Sequence, residues 1–210
     1  MLAGGGRLVV KLLSRTLTHK SDVGGVVLDV VSPVAARQAC EDIVSRVRAA
    51  VPDGQIDGFA IQPMINRPMA HELILGTSHD AVFGPVILFG AGGAGVAVAH
   101  ALLTLGIGRL TVDDVLAGDL IDKTRIGRLL AGYRDRKPAD RSAIVAALCA
   151  MSNMVVDFPA ILSMDINPLL ADADGVMALD ARIEIRPERV GEPGPNPSLA
   201  IRPYPTGWSR

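Results

Sequence analysis

Aromatic side chains make up only 3% of the 210 residues, and the formal charges nearly cancel, with 21 basic against 22 acidic residues for a net −1. A chain so poor in ring faces has little on which to stack nucleobases. Without an excess of positive charge it also has no global pull toward nucleic acid or an anionic membrane. Cysteine is just as scarce. Cys40 and Cys149 sit in alanine-rich surroundings with no C-x-x-C or Cys/His spacing, so they read as small core residues of a protein in a reducing cytoplasm. The opening MLAGGGRLVVKLL has too short an apolar run, and no clear cleavage site, for a signal peptide. Residues 81–108 lack Asp, Glu, Lys and Arg and are long enough to span a bilayer. Seven glycines and Pro85 interrupt them, so they divide into a strand, a glycine loop and a helix instead.

What the chain does have is a 49% hydrophobic content, enough for a sizeable core, and one stretch dense in chemistry. In residues 7–29, RLVVKLLSRTLTHKSDVGGVVLD, two apolar runs flank a loop holding His19, Lys20, Ser21 and Asp22. Residues 8–13 have the β-branched character of a buried strand, and Lys11 inside it calls for an anionic partner, for which a phosphate is the natural choice. Gly24 and Gly25 suit a close approach of backbone N–H groups to an anion before a second strand begins at Val26. The pattern is a hairpin with a reactive tip.

Further on, Ser32-Pro33 opens a helix to about Ala50, with Ala36, Ala39, Cys40, Ile43, Val44 and Val47 at helical spacing, closed by the turn at residues 51–54. Residues 59–64 and 72–76 read as short strands around the loop 65–70. A helix is expected over residues 116–130, and a second from residues 138–140 to about Met154. Residues 162–170 and 175–185 form a closing strand pair. His71 and His79 lack metal spacing and read as surface residues, and Arg134 and Arg136 as solvated ones. The Pro- and Gly-rich tail, residues 186–210, reads as an extended linker.

The hairpin resembles that of the ATP-grasp domain of the NDP-forming acyl-CoA synthetases, VLKxxSPxxxHKSDVGGV, through Val10-Lys11, Ser14 and residues 19–26. The E-L-I-x-G motif at Glu72, the FGPVxxFGxGG element at residues 83–93, LIDKTRIGRLLAGYRDRKPAD at residues 120–140, INP at Asn167 and LDAR at Asp180 extend the likeness. It implies an α/β, ATP-grasp-like fold of the succinyl-CoA synthetase beta-chain type, a mixed sheet with flanking helices, incomplete at the N-terminus. That domain would occupy residues 1–185, followed by the linker 186–210. By the same resemblance His19 is a transient phosphoryl carrier, a role suited to a neutral imidazole near pH 7. Lys11, Gly24, Gly25, Gln62 and Glu72 would bind the nucleotide, with ATP/ADP as cofactor. Asn167 and Asp180 would hold Mg²⁺, whose hard octahedral shell a carboxylate and an amide carbonyl suit, with Asp165 as a supporting acid. CoA would be a substrate through CoA-binding and ligase domains on a parent chain or partner subunit. The wording of residues 120–140 and 200–205 is close to the branch fused to a GNAT-type acetyltransferase.

Two other readings arise where the likeness lapses. After Gly93 the family usually has V-E-V and an aspartate one turn later, whereas Val96-Ala97-Val98 and Ala101 stand here, which points to a non-catalytic nucleotide-sensing module. The same segment, residues 86–114, resembles the dinucleotide-binding unit of shikimate or quinate dehydrogenases. Gly90, Gly92 and Gly95 give G-x-G-x-x-G, and Asp114 lies where an acid can bind a ribose 2′-OH at the end of a second strand, so an NAD-dependent oxidoreductase is the third reading.

Overall fold

The computed structural model describes residues 6–17, 20–80, 84–92, 99–101, 112–132, 134 and 136–193. The chain divides into two compact units, Met1–Asn66 and Arg67–Arg210.

In the first unit, β1 (Leu8–Leu13) is the middle of a three-stranded antiparallel sheet, flanked by β2 (Val26–Val30) and β3 (Gly58–Pro63). Helix α1 (Pro33–Ala50) covers one face. Its start follows from the sequence: the Ser32 hydroxyl accepts the Ala35 N–H at 3.1 Å, and Pro33 occupies the first turn, where no N–H is needed. Ala36, Ala39, Ile43 and Val47 form its buried stripe and pack on Leu8, Val10, Leu12 and Val30. Burying a side chain such as Leu12 or Ile43 completely contributes about 1.5–3 kcal/mol. Strand alternation then puts Val9 and Lys11 on the face away from α1.

The second unit holds a six-stranded sheet in the order β6-β5-β4-β7-β8, built from β4 (His71–Asp80), β5 (Gly84–Ala91), β6 (Ala99–Ala101), β7 (Ile161–Asp172) and β8 (Gly175–Ala178), with β9 (Ala181–Ile185) also paired to β7. Every pairing in both sheets is antiparallel among the described residues, in place of the mixed sheet expected. Helices α2 (Asp114–Asp122), α3 (Arg125–Leu130) and α4 (Arg141–Asp157) bury Ala117, Leu120, Ile121, Ile126, Ile144, Leu148 and Met151 against Leu73, Leu75, Phe89 and Leu169. No helix among the described residues is long and apolar enough to cross a membrane.

Three expectations need correction. The single helix over residues 116–130 is two helices, because Thr124 stops one and caps the next: its hydroxyl donates to the Ile121 carbonyl at 2.6 Å and accepts the Gly127 N–H at 3.1 Å. His71 is not a surface residue. It begins the buried row His71, Leu73, Leu75, Thr77 of β4 and is 7% exposed. Its Nδ1 lies 3.5 Å from Arg136, its Nε2 has no partner among the described residues, and burial, then the Arg136 charge, lower its pKa. The closing strand pair is not continuous: the strand expected over residues 175–185 breaks into β8 and β9, which follow in turn along one edge of β7. Its hairpin is tied by Arg67, which pairs with the mostly buried Asp172 carboxylate and donates to the Gly175 carbonyl at 3.4 Å.

The side chains of His79 and residues 194–210 lie outside the described residues. Within the rest of the tail, Pro187–Arg189 form a single 3₁₀ turn.

Candidate nucleotide and metal site

Lys11 pairs with Val26 on one side and Ala60 on the other, and Val9 faces Gln62. Directly paired residues share a face, so Lys11 and Gln62 stand together on the side of the sheet away from α1. Lys11 is half-buried and Gln62 exposed. This is the arrangement an anion-binding lysine on a strand requires: a stem held by the sheet and a head turned from the apolar core.

The glycine pair does something other than expected. Gly24 adopts a φ of +65° and donates its N–H to the Ser21 carbonyl at 3.1 Å, while the Gly25 N–H donates to the Lys20 carbonyl at 2.7 Å. Both amides are spent inside the turn, so they are not the anion cradle. A Cβ on Gly25 would come 2.8 Å from the Lys20 oxygen. The pair therefore closes the hairpin and fixes Lys20, the neighbour of His19. His19 itself lies outside the described residues.

In the second unit, Glu72 is exposed on β4 opposite Leu170, on the face away from the helices. Strand β7 carries one extra residue relative to β4: Leu73 pairs with Leu169 and Leu75 with Ile166, so Asn167 and Pro168 together oppose Ile74. The adjoining strand breaks at the same level, between β8 and β9. There the Asn167 N–H donates to the Asp180 carbonyl at 3.1 Å, and the Leu179 N–H to the Pro168 carbonyl at 3.1 Å. Both expected metal donors thus sit, exposed, at coincident irregularities of neighbouring strands. Asp165, two residues before Asn167 and half-buried, pairs with Gly76 and Arg182.

The dinucleotide reading meets a different backbone. Gly90 lies within β5, paired with Ile74, and the Gly92 N–H donates to the Glu72 carbonyl at 2.8 Å. β5 runs antiparallel to both its neighbours, β4 and β6, whereas a dinucleotide-binding unit requires a parallel strand–helix–strand crossover. Asp114 does not end a strand. It opens α2 behind the Asp113 cap, whose carboxylate accepts the Leu116 N–H at 2.8 Å, and it accepts the Cys149 thiol at 3.6 Å. Gly95 lies outside the described residues.

A family model described as an ATP-grasp domain matches residues 3–185. The beta subunit of acetate–CoA ligase [ADP-forming] I from Pyrococcus furiosus is 32% identical over 176 residues, 84% of this chain and 74% of that subunit. The chain belongs to the ATP-grasp family of ADP-forming acetate–CoA ligases. It spans about three-quarters of that subunit, but 26% of the Archaeoglobus fulgidus acetate–CoA ligase [ADP-forming] I, to which it is 35% identical. Among solved structures, an acetyl-coenzyme A synthetase of Ca. Korarchaeum cryptofilum in complex with coenzyme A and Ca-AMPCP has a TM-score of 0.74 and 33% identity, covering 85% of this chain and 76% of that one. The same enzyme is known with coenzyme A and Mg-AMPPCP, its phosphohistidine segment pointing towards the nucleotide binding site, at a TM-score of 0.67, 30% identity and coverage of 85% and 76%. The likeness to shikimate dehydrogenase (NADP(+)) of Streptomyces avermitilis is confined to 37 residues at 65% identity, 18% of this chain and 13% of that enzyme.

The family thus accounts for the fold and the nucleotide-binding character, and the dehydrogenase likeness stays local. Two residues around these sites carried no sequence signal: Arg46, whose side chain lies against Gly24, and Arg67, the clamp of the β7–β8 hairpin. Only contacts distant in sequence would have singled them out.

Proposed function

We propose that this chain is the ATP-grasp part of an ADP-forming acyl-CoA synthetase, acting in the cytoplasm with CoA-binding and ligase domains on a parent chain or partner subunit. A GNAT-type acetyltransferase domain on the parent chain belongs to the same proposal. Residues 1–185 make up the ATP-grasp domain and residues 186–210 the linker. The overall reaction interconverts acyl-CoA, ADP and phosphate with a carboxylate, CoA and ATP.

The partner domains form the acyl phosphate. A neutral ring nitrogen of His19 attacks its phosphorus, the P–N bond forms, and the carboxylate leaves with the electrons of the broken P–O bond. A terminal oxygen of ADP then attacks the same phosphorus, and the imidazole leaves as the P–N bond breaks. Lys11 offsets phosphate charge, with Gln62 and Glu72 placing the nucleotide and Gly24-Gly25 holding the turn behind His19.

The observation that supports the reading is the backbone hydrogen bond from the Asn167 N–H to the Asp180 carbonyl, which joins two exposed residues whose side chains are an amide and a carboxylate. That donor set fits Mg²⁺, completed by phosphates and water. Bound with ATP or ADP, Mg²⁺ supplies charge neutralisation at the phosphates. Calorimetry with Mg-ADP tests the site: Asp180→Asn is expected to weaken binding at least about tenfold, and unchanged affinity rejects it. Acid-labile, base-stable label from γ-labelled ATP, present on the wild type and absent from His19→Gln, tests the relay. Binding without label on either points instead to a nucleotide sensor.

A further inference from the structure

The five side chains of β9 are all exposed, although each residue of that strand is paired with β7. The pairing uses one edge only. The Asn167 N–H donates to the Asp180 carbonyl at 3.1 Å and the Arg186 N–H to the Ala160 carbonyl at 2.7 Å, so the even-numbered residues along β9 turn their backbone groups toward β7. The N–H and C=O groups of Ala181, Ile183 and Ile185 then point to the outer edge, where no strand stands among the described residues. Side chains alternate along the same strand. Ile183, opposite Met164, and Ile185, opposite Ile161, take the face that carries the helices, yet they are 47% and 50% exposed. Arg182 and Glu184 take the other face, opposite Asp165 and Ser163, and the Ser163 hydroxyl donates to Glu184 at 3.0 Å.

An edge guarded against association carries charge of one sign or a proline, which repels or blocks a copy of itself. This edge carries one charge of each sign, placed evenly about Ile183. Two copies laid antiparallel about that residue put Arg182 of each opposite the partner's Glu184, Ile183 opposite the partner's Ile183, and Ala181 opposite the partner's Ile185. Because the outward groups belong to the odd-numbered residues, the pairs at Ile183 and at Ala181 exchange hydrogen bonds. The Arg182 pairs fall at the non-hydrogen-bonded positions, where side chains approach most closely. The row on that face reads Asp165, Arg182, the partner's Glu184, so each cation stands between two acids. One register thus satisfies charge, apolar side chains and backbone together. We propose that the outer edge of β9 is a docking surface for a second copy of this chain, joined antiparallel about Ile183 as a two-fold dimer. Five residues a side make a contact well below the standard size, so the dimer is weak, with a dissociation constant of about 10–100 μM.

Sedimentation equilibrium of the full chain tests the pairing. The wild type is expected to dimerise in that range. Arg182→Glu or Glu184→Arg, each setting like charges opposite one another twice, should weaken the dimer at least about tenfold. An equal mixture of the two single variants should regain the wild-type affinity, because the introduced carboxylate meets the introduced guanidinium while the native Glu184 meets the native Arg182. Ile183→Pro removes an N–H that points away from β7, so it should abolish the dimer without breaking the ladder to β7. A wild type still monomeric at about 500 μM overturns the proposal and leaves the edge to a strand of another protein. A dimer that survives Ile183→Pro, that neither charge variant weakens, or that the mixture fails to restore overturns it as well.

Discussion

Two glycine-rich stretches of this chain, around Gly24-Gly25 and around Gly90-Gly92, look alike as phosphate cradles, yet the amides of Gly24, Gly25 and Gly92 all donate to the chain's own carbonyls. Gly24 and Gly25 donate to the Ser21 and Lys20 carbonyls, and Gly92 donates to that of Glu72. What separates them is the surroundings. The first pair closes a turn beside Lys20 and Arg46, whereas the second continues an antiparallel strand and bonds back to its neighbour β4. A glycine motif is decided by where its N–H groups point and by what charge stands beside it, not by its spacing.

The largest effect should come from a glycine that neither motif contains. A Cβ on Gly127 would lie 2.3 Å from the Ile121 oxygen and 3.0 Å from its carbon, both backbone atoms that cannot yield. Gly127→Ala is expected to cost about 3 kcal/mol or more, read as the loss of melting temperature in calorimetry. Gly25→Ala should follow at about 2 kcal/mol, because its Cβ would meet the Lys20 carbonyl. Gly24→Ala should cost only about 1–2 kcal/mol, the strain of a left-handed backbone, since Arg46 is flexible enough to move aside. Equal losses at residues 24 and 25 would show that Arg46 is held more tightly than its exposure implies.

Gly92→Ala meets backbone no closer than 3.3 Å and should cost about 1 kcal/mol or less. Titration with NADH, followed by its fluorescence, should show no binding before or after that change. A low-micromolar dissociation constant abolished by Gly92→Ala would restore the dehydrogenase reading. The smallest effect concerns β4, the strand on which Gly92 leans. His71 has a folded pKa lowered by burial and by Arg136, so the unfolded chain binds its proton first. Stability is then full above about pH 6.5 and is lost as pH falls through the folded value. His71→Leu should flatten the change in melting temperature between about pH 7.5 and pH 5.5.

Much of the architecture was legible in the sequence because local chemistry set it. The Ser32-Pro33 start of α1, the apolar alternation of β1 and the order of the closing strands all followed from residue type and spacing. Asn167 and Asp180 were paired by their motifs, and the backbone bond between them is consistent with that pairing. What escaped depends on tertiary partners. Thr124 reads as an ordinary helix residue until its hydroxyl is seen serving two helices, and His71 looks solvated until the alternation of β4 turns it inward. The destinations of the glycine amides could not be read at all, because an N–H has the same sequence signature whether it meets a ligand or its own strand.

The doubled residue at Asn167–Pro168 also sets the phase of everything after it. Before it, Met164 and Ile166 face the core; beyond it, Leu169 and Ala171 do, so even positions hand over to odd ones. The companion strand changes phase at Leu179–Asp180, where Ala178 and Ala181 pair with Leu169 and Ile166. A regular pleat running straight through both Asn167 and Pro168 would turn every later side chain of β7 over, putting Asp172 inward and Leu169 out. The two proposed metal donors therefore stand where both strands must break step, and the apolar faces on either side depend on that break.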